Sequence, residues 1–166
     1  AEQLLKSVQN PTGKLKRSLS GKTFAITGAT GGIGSAIAKL LSANGAKVFP
    51  LSLTSKQFAV DLTRYEEVKT IFNSLGPIDG LINCVGFLFL KSFYHLTQKE
   101  IDILIKTNLH ALLYSCHTAQ VKKGGHIINL ASSAFSRGRK YYALYSSAKA
   151  AVVNFTQGLA EERKDL

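Results

Sequence analysis

The chain predicts an α/β fold, a parallel sheet wound in both directions and covered by helices on both faces, on three observations. Short apolar runs alternate with longer segments whose apolar residues recur three or four apart. The runs are apolar throughout rather than at every second residue, as strands are when both sheet faces are covered. A glycine-rich turn also joins the first run directly to the first helical segment. Strands alternating with helices imply right-handed crossovers, hence a doubly wound sheet.

The stretch to about Ser20, with Asn10-Pro11-Thr12-Gly13 inside it, reads as a leader or linker (1–20) before a domain over 21–166. Thr23–Thr27 is the first strand. Ile33 to Asn44 is a helix on Ile33, Ile37, Leu40 and Leu41, stopped by Gly45 at the position after its cap. Lys47-Val48-Phe49 with Leu51 is a second strand, and Phe58-Ala59-Val60 a third, with almost no helix between them. That crossover is too short for a parallel pair, so it is reduced or interrupted. Arg64 to Leu75 is a helix on Val68, Ile71, Phe72 and Leu75, and Ile78 to Val85 a fourth strand. A long helical region runs from about Gln98 to Val121, His126–Leu130 is a fifth strand, and Tyr142 to Glu162 a final helix.

Composition narrows the function classes. The 166 residues are 45% hydrophobic and 19% charged, a globular balance able to bury one core. No apolar run approaches the roughly 18 residues of a membrane-spanning helix, and Ala1 to Leu19 lacks the apolar core of a secretory signal. Cys84 and Cys116 make no disulfide framework, so a cytoplasmic protein is expected. The absence of methionine, an initiator included, points to a processed or excised piece, or to numbering that hides breaks. The net charge of +11 is concentrated: Gln3–Val60 and Ile103–Ala160 contain no acid. Nucleic-acid readers cluster their charge with stacking aromatics or on one helix. Here it is spread, so no nucleic acid is expected and an anionic small molecule is favoured.

Thr27-Gly28-Ala29-Thr30-Gly31-Gly32-Ile33-Gly34 lies between the first strand and the first helix, where a dinucleotide pyrophosphate can sit on helix N–H groups. Gly28 permits the tight turn, Gly32 close approach of a phosphate, and Gly34 close helix–strand packing. The turn resembles the T-G-x-x-x-G-x-G turn of the short-chain dehydrogenase/reductase superfamily. Asp61-Leu62, Asn83-Cys84-Val85-Gly86, Thr107-Asn108-Leu109, Ser132 and Tyr145-Ser146-Ser147-Ala148-Lys149 then resemble that family's further landmarks, in its order. Cys84 and Val85 depart from its N-N-A-G signature. The resemblance implies a Rossmann-type sheet of order 3-2-1-4-5, without the C-terminal strands and substrate lid that family members carry. It implies cofactor contacts from Gly28, Thr30, Gly31, Gly32, Ile33, Gly34, Ser52, Asp61, Leu62, Asn83, Gly86, Tyr145 and Lys149, and a homodimer or homotetramer.

Tyr145 and Lys149 are one helical turn apart, so both project from one face. A phenol titrates near pH 10, and a buried ammonium one turn away favours its ionised form. In the resemblance Tyr145 is the acid/base, Lys149 also holds the nicotinamide ribose, Ser132 (or Ser133) bonds the reacting carbonyl, and Asn108 holds a water of the proton relay. The four histidines show no paired metal-ligand spacing, and no metal is expected.

The function expected is an NADP(H)-dependent oxidoreductase acting on a carbonyl or alcohol, with reduction of a carrier-linked 3-oxoacyl group or a sugar phosphate as its candidate reactions. The alternative is a nucleotide-binding or scaffold module with weak catalysis. NADP is favoured over NAD because the acid expected about 20 residues past the glycines is absent. Ser52, Thr54, Ser55 and Lys56 occupy that region instead. Arg137, Arg139 and Lys140, between Ser132 and Tyr145, suit an anionic substrate. The alternative for that loop is a solvated segment.

Overall fold

The structure, a computed structural model, describes residues 18–166. The leader or linker expected over 1–20 therefore falls outside it up to residue 17. Four parallel strands, β1 (Thr23–Thr27), β2 (Lys47–Leu51), β3 (Ile78–Asn83) and β4 (Val121–Asn129), form one sheet in the order β2-β1-β3-β4. Helices α1 (Gly32–Ala43), α2 (Tyr65–Leu75), α3 (Gln98–Ile105), α4 (Ala111–Thr118) and α5 (Ala143–Glu162) connect or follow them. The α/β doubly wound class is as expected.

Several elements differ from the expectation. The third strand expected at Phe58–Val60 is a single parallel bridge, Ser52 to Ala59, beside the end of β2. The few residues between them cannot hold a crossover helix. They form a compact turn instead, in which Ser55 N–H donates to the Ser52 carbonyl and Phe58 N–H to Ser55 Oγ. The sheet order is thus the expected one with its outermost strand reduced to one pair. The long helix expected from Gln98 to Val121 is broken by a π-helical turn, Lys106–His110, and ends at Thr118. β4 begins at Val121 rather than His126, because Val121 pairs with Ile78 before a register shift restores pairing at Gly80–His126. β3 ends at Asn83, two residues before the expected Val85.

Alternate residues of the paired strands feed two separate cores. Ala25, Phe49, Leu51 and Leu81 face α2 and α4, packing on Val68, Phe72 and Ala111. Ile26 and Ile82 face the other way, toward Ile37, Ala38 and Leu41 of α1. Two helix ends are closed by local hydrogen bonds, the first of them at the expected Gly45. At the end of α1, Ala46 N–H donates to Leu41 and Gly45 N–H to Ser42, with Gly45 at φ +90°. α3 opens with a reciprocal capping box between Thr97 and Glu100, and Lys91 clamps both Glu100 oxygens at 2.9 Å.

At the N-terminal end of the sheet, Asp79 ties three strands together. It accepts from Thr23 N–H and Thr23 Oγ1, each at 2.9 Å, and pairs with Lys22 and Lys122. The Thr23 amide, followed by Lys122, Thr23 Oγ1 and Lys22, outweighs burial and holds this carboxyl far below the usual range. Such a group adds stability that is complete above its unfolded value near 3.9 and is lost as pH falls below it. Asp79→Asn is expected to lower stability at pH 7 by about 1–2 kcal/mol and to flatten its decline below about pH 4. Urea unfolding across pH measures both, and an unchanged acid limb contradicts the assignment.

Candidate active site

The glycine turn leaves β1 at the C-terminal end of the sheet. Gly28 has φ +66°, and a Cβ there would lie 3.0 Å from the backbone of Cys84 and Val85, so the turn lies flat against the chain leaving β3. A Cβ on Gly34 would lie 2.3 Å from the Gly28 carbonyl oxygen, which fixes how closely α1 can approach the turn. Gly32 has nothing within 4 Å of its Cβ position, so its face is open. α1 starts after Gly31 with no side-chain cap and no acid in its first turn, and Ile33 there is exposed. This end of the helix therefore presents amide donors and positive dipole without a protein acceptor. An open glycine face above those donors is the shape and charge that a pyrophosphate requires.

A row of polar side chains holds the strand ends that carry the site. Thr27 Oγ1 donates to Asn83 Oδ1 at 3.2 Å, Asn83 Nδ2 to Asn129 Oδ1 at 2.8 Å, and Asn129 Nδ2 to Thr156 Oγ1 of α5 at 2.9 Å. Cys84 N–H is held by both Thr27 oxygens. Asn83 is thus buried and engaged on both sides of its amide, so any influence on a ligand passes through the turn it holds. Burial pushes the Cys84 thiol up to about 11 and that of Cys116 to about 12, which suits packing rather than nucleophilic chemistry.

Asn108, Gly86 and Lys149 converge beside this row. The π-helical turn directs the Asn108 amide to the carbonyls of Phe87 (2.8 Å) and Leu104 (3.0 Å), leaving its Oδ1 buried without a partner. A Cβ on Gly86 would meet that Oδ1 at 2.8 Å and Lys149 Nζ at 3.4 Å. Lys149 is 4% exposed and donates to the Leu130 carbonyl at 2.9 Å. Desolvation lowers its pKa. Its Nζ lies 5.9 Å from the centroid of the Tyr145 ring, which is half-buried and edge-on to Tyr142. Ser132 caps a short 3₁₀ turn, Ser133–Phe135, by accepting from Ala134 N–H, so its own proton stays free to donate.

The remaining expected residues lie further along. Thr30, Ser52 and Thr54 join hydroxyls, Thr30 donating to Ser52 at 3.1 Å and Thr54 to Thr30 at 2.9 Å. Ser55 is buried and caps Phe58 N–H, whereas Lys56 is exposed. Asp61 folds onto Thr63, accepting from its N–H and hydroxyl, and Leu62 is a core residue. Sequence reasoning missed Asn129, Thr156 and the Leu130 carbonyl. An asparagine ending an apolar strand was a usable signal for the first, but a main-chain carbonyl leaves none.

Gly34→Ala is expected to cost about 1–3 kcal/mol, because its neighbour is backbone that cannot move aside. Gly32→Ala, in open space at the start of a helix, is expected to stay within about 0.5 kcal/mol of the wild type. Urea titration of the two variants tests this contrast, and equal losses contradict the packing described.

A family profile described as short chain dehydrogenase matches residues 22–165. The chain is 30% identical to L-xylulose reductase of Bos taurus, over 87% of this chain and 66% of that protein. It is also 30% identical to a 3-oxoacyl-[acyl-carrier-protein] reductase of Vibrio cholerae, over 87% of this chain and 68% of that one. A short chain dehydrogenase from Burkholderia cenocepacia, solved in complex with NADP, superposes with a TM-score of 0.81 at 28% identity, covering 88% of this chain and 70% of that one. The chain spans about two thirds of the length of the two curated relatives.

Proposed function

The chain belongs to the short-chain dehydrogenase family, and from that premise we propose that it serves an NADP(H)-dependent oxidoreductase that interconverts a carbonyl and an alcohol. The observation that carries this reading is the convergence of Lys149, Tyr145 and the unpartnered Asn108 Oδ1 at the end of the sheet that also bears the open glycine turn. A bound nicotinamide cofactor would supply or accept the hydride. Gly32, Ile33 and Gly34 would hold its pyrophosphate with their amides, the Gly31 N–H being bonded to the Gly28 carbonyl at 3.0 Å, and Thr30, Ser52 and Thr54 lie on the side where the adenosine ribose is expected.

The protein groups manage the proton. Tyr145 donates its phenol proton to the carbonyl oxygen during reduction, and Ser132 bonds the same oxygen. Lys149 favours the resulting phenolate by its charge. Burial opposes that charge, and the Leu130 carbonyl offsets part of the cost by accepting from Nζ. Asn108 Oδ1 can take a water that returns the proton from solvent. Tyr145→Phe is expected to lower kcat by a factor of about 10²–10⁴ while NADPH affinity stays within a few-fold. The assay panel is a neutral 3-oxo ester, a 3-oxoacyl thioester of coenzyme A and a ketopentose phosphate. The exposed Arg137, Arg139 and Lys140 favour higher kcat/KM on the charged thioester than on the neutral ester. Near-normal turnover by Tyr145→Phe removes the phenol from its role.

The preference proposed is for NADP(H). Hydroxyls of Thr30, Ser52 and Thr54 and the exposed Lys56 suit a 2′-phosphate, and the nearest acid, Asp61, is already bonded to Thr63. Calorimetric titration is expected to give tighter binding of NADPH than NADH, and the reverse order overturns the preference.

A further inference from the structure

Building on the carbonyl-reductase reading, we propose that the loops leaving β3 and β4 form an apolar mouth at Tyr145 and Lys149, which accepts a carbonyl carried on an alkyl or acyl chain rather than on a polyol. Two loops support this independently. From Gly86, whose Cβ side is filled by Asn108 Oδ1 and Lys149 Nζ, the chain runs straight into Phe87-Leu88-Phe89-Leu90. The Phe87 carbonyl is anchored by Asn108, the Phe87 and Phe89 rings meet edge to face at 4.9 Å, and Leu90 is 67% exposed. The segment is therefore fixed to the site at its root and offers bare apolar surface immediately beyond it.

The second loop joins Ser132 to Tyr145 and carries Phe135 and Tyr141, each 46% exposed. Tyr141 has φ +69°, alone among the described non-glycine residues in adopting a positive φ. Burial does not account for that conformation, since the ring is half in solvent with Lys140 Nζ 5.0 Å from its centroid. Strained backbone of this kind is found at ligand contacts, where the side chain's direction matters more than local comfort. Single exposed apolar side chains are ordinary, but two sets flanking one polar centre form a binding surface. Polyol hydroxyls would face these side chains without hydrogen-bond partners, whereas methylenes would lose unfavourable contact with water. Arg137 and Arg139, exposed in the same loop, suit an anionic group at the far end of such a chain.

The test uses the full chain with NADPH and neutral ketones of increasing length, 2-butanone, 2-hexanone and 2-octanone, against a ketopentose. kcat/KM is expected to rise by up to about fourfold per buried methylene. Leu90→Ser and Phe89→Ser are expected to flatten that rise, and Tyr141→Gly to flatten it without lowering Tm. A flat series, or a ketopentose preferred to 2-hexanone, overturns the proposal. Calorimetric binding of unreactive acetamide, hexanamide and octanamide separates the mouth from the reaction. Affinity graded with length but no turnover supports the mouth and defeats the reductase reading, whereas turnover with ungraded binding does the opposite. Unchanged length dependence with an altered sedimentation mass in Leu90→Ser assigns the surface to contact between copies and overturns the proposal.

Discussion

A lysine ammonium withdrawn from water is the constraint on which the other features of the site depend. Lys149 lies on a helix that begins only at Ala143, yet its Nζ reaches the main chain just past β4. Desolvating a charge is costly unless acceptors replace the lost water. One acceptor is the Leu130 carbonyl, whose own residue is anchored by its N–H to the Asn83 carbonyl at the end of β3. Lys149 is therefore held by the sheet, through two hydrogen bonds in series, and is not a side chain left to find its own position. The missing side chain at Gly86 is part of the same requirement, since a methyl group there would press on both Asn108 and the ammonium.

The two ends of the sheet solve opposite electrostatic problems. At the N-terminal end, Asp79 gathers an amide, a hydroxyl and two lysines, so charge is neutralised where strands begin. At the C-terminal end, Thr27, Asn83, Asn129 and Thr156 are neutral and bonded to one another. A neutral, satisfied row adds rigidity without a competing field beside Lys149 and Tyr145. A carboxylate in place of Asn83 or Asn129 would bring a counter-charge to the sheet end that carries the ammonium.

Local pattern made most of the fold legible. The runs at Thr23–Thr27 and Lys47–Leu51 and the helix stopped by Gly45 depend on neighbours in sequence, and they form where pattern places them. The differences arise where distant packing decides. Phe58–Val60 has strand-forming residues, but too little chain precedes it for a crossover, so only Ala59 pairs. The π-helical turn at Lys106–His110 has apolar spacing that suits an uninterrupted helix, and the Asn108 amide, bonded to Phe87 from another segment, accompanies its widening. At the site, Tyr145, Lys149, Asn108 and the glycines were legible because they are chemical side chains or voids at fixed spacing. The carbonyls that orient them were not, since every residue has one.

The two cores differ in depth, and the shallower one lies beneath the glycine turn. The face toward α2 and α4 gathers Leu51, Val68, Phe72, Ile78 and Leu81 among its buried members, whereas the face toward α1 has Ile26, Ala29 and Ile82. α1 thus packs on the smaller of these two cores, and its first turn holds the open donors. Local opening of a protein follows such differences in burial. A ligand bound to the donors of Gly32–Gly34 stabilises only states in which α1 is docked, so each increment of its affinity is also an increment in the rigidity of that helix. Saturation of this one turn would therefore tighten the layer over the smaller core, linking occupancy to resistance against partial unfolding and against attack by proteases.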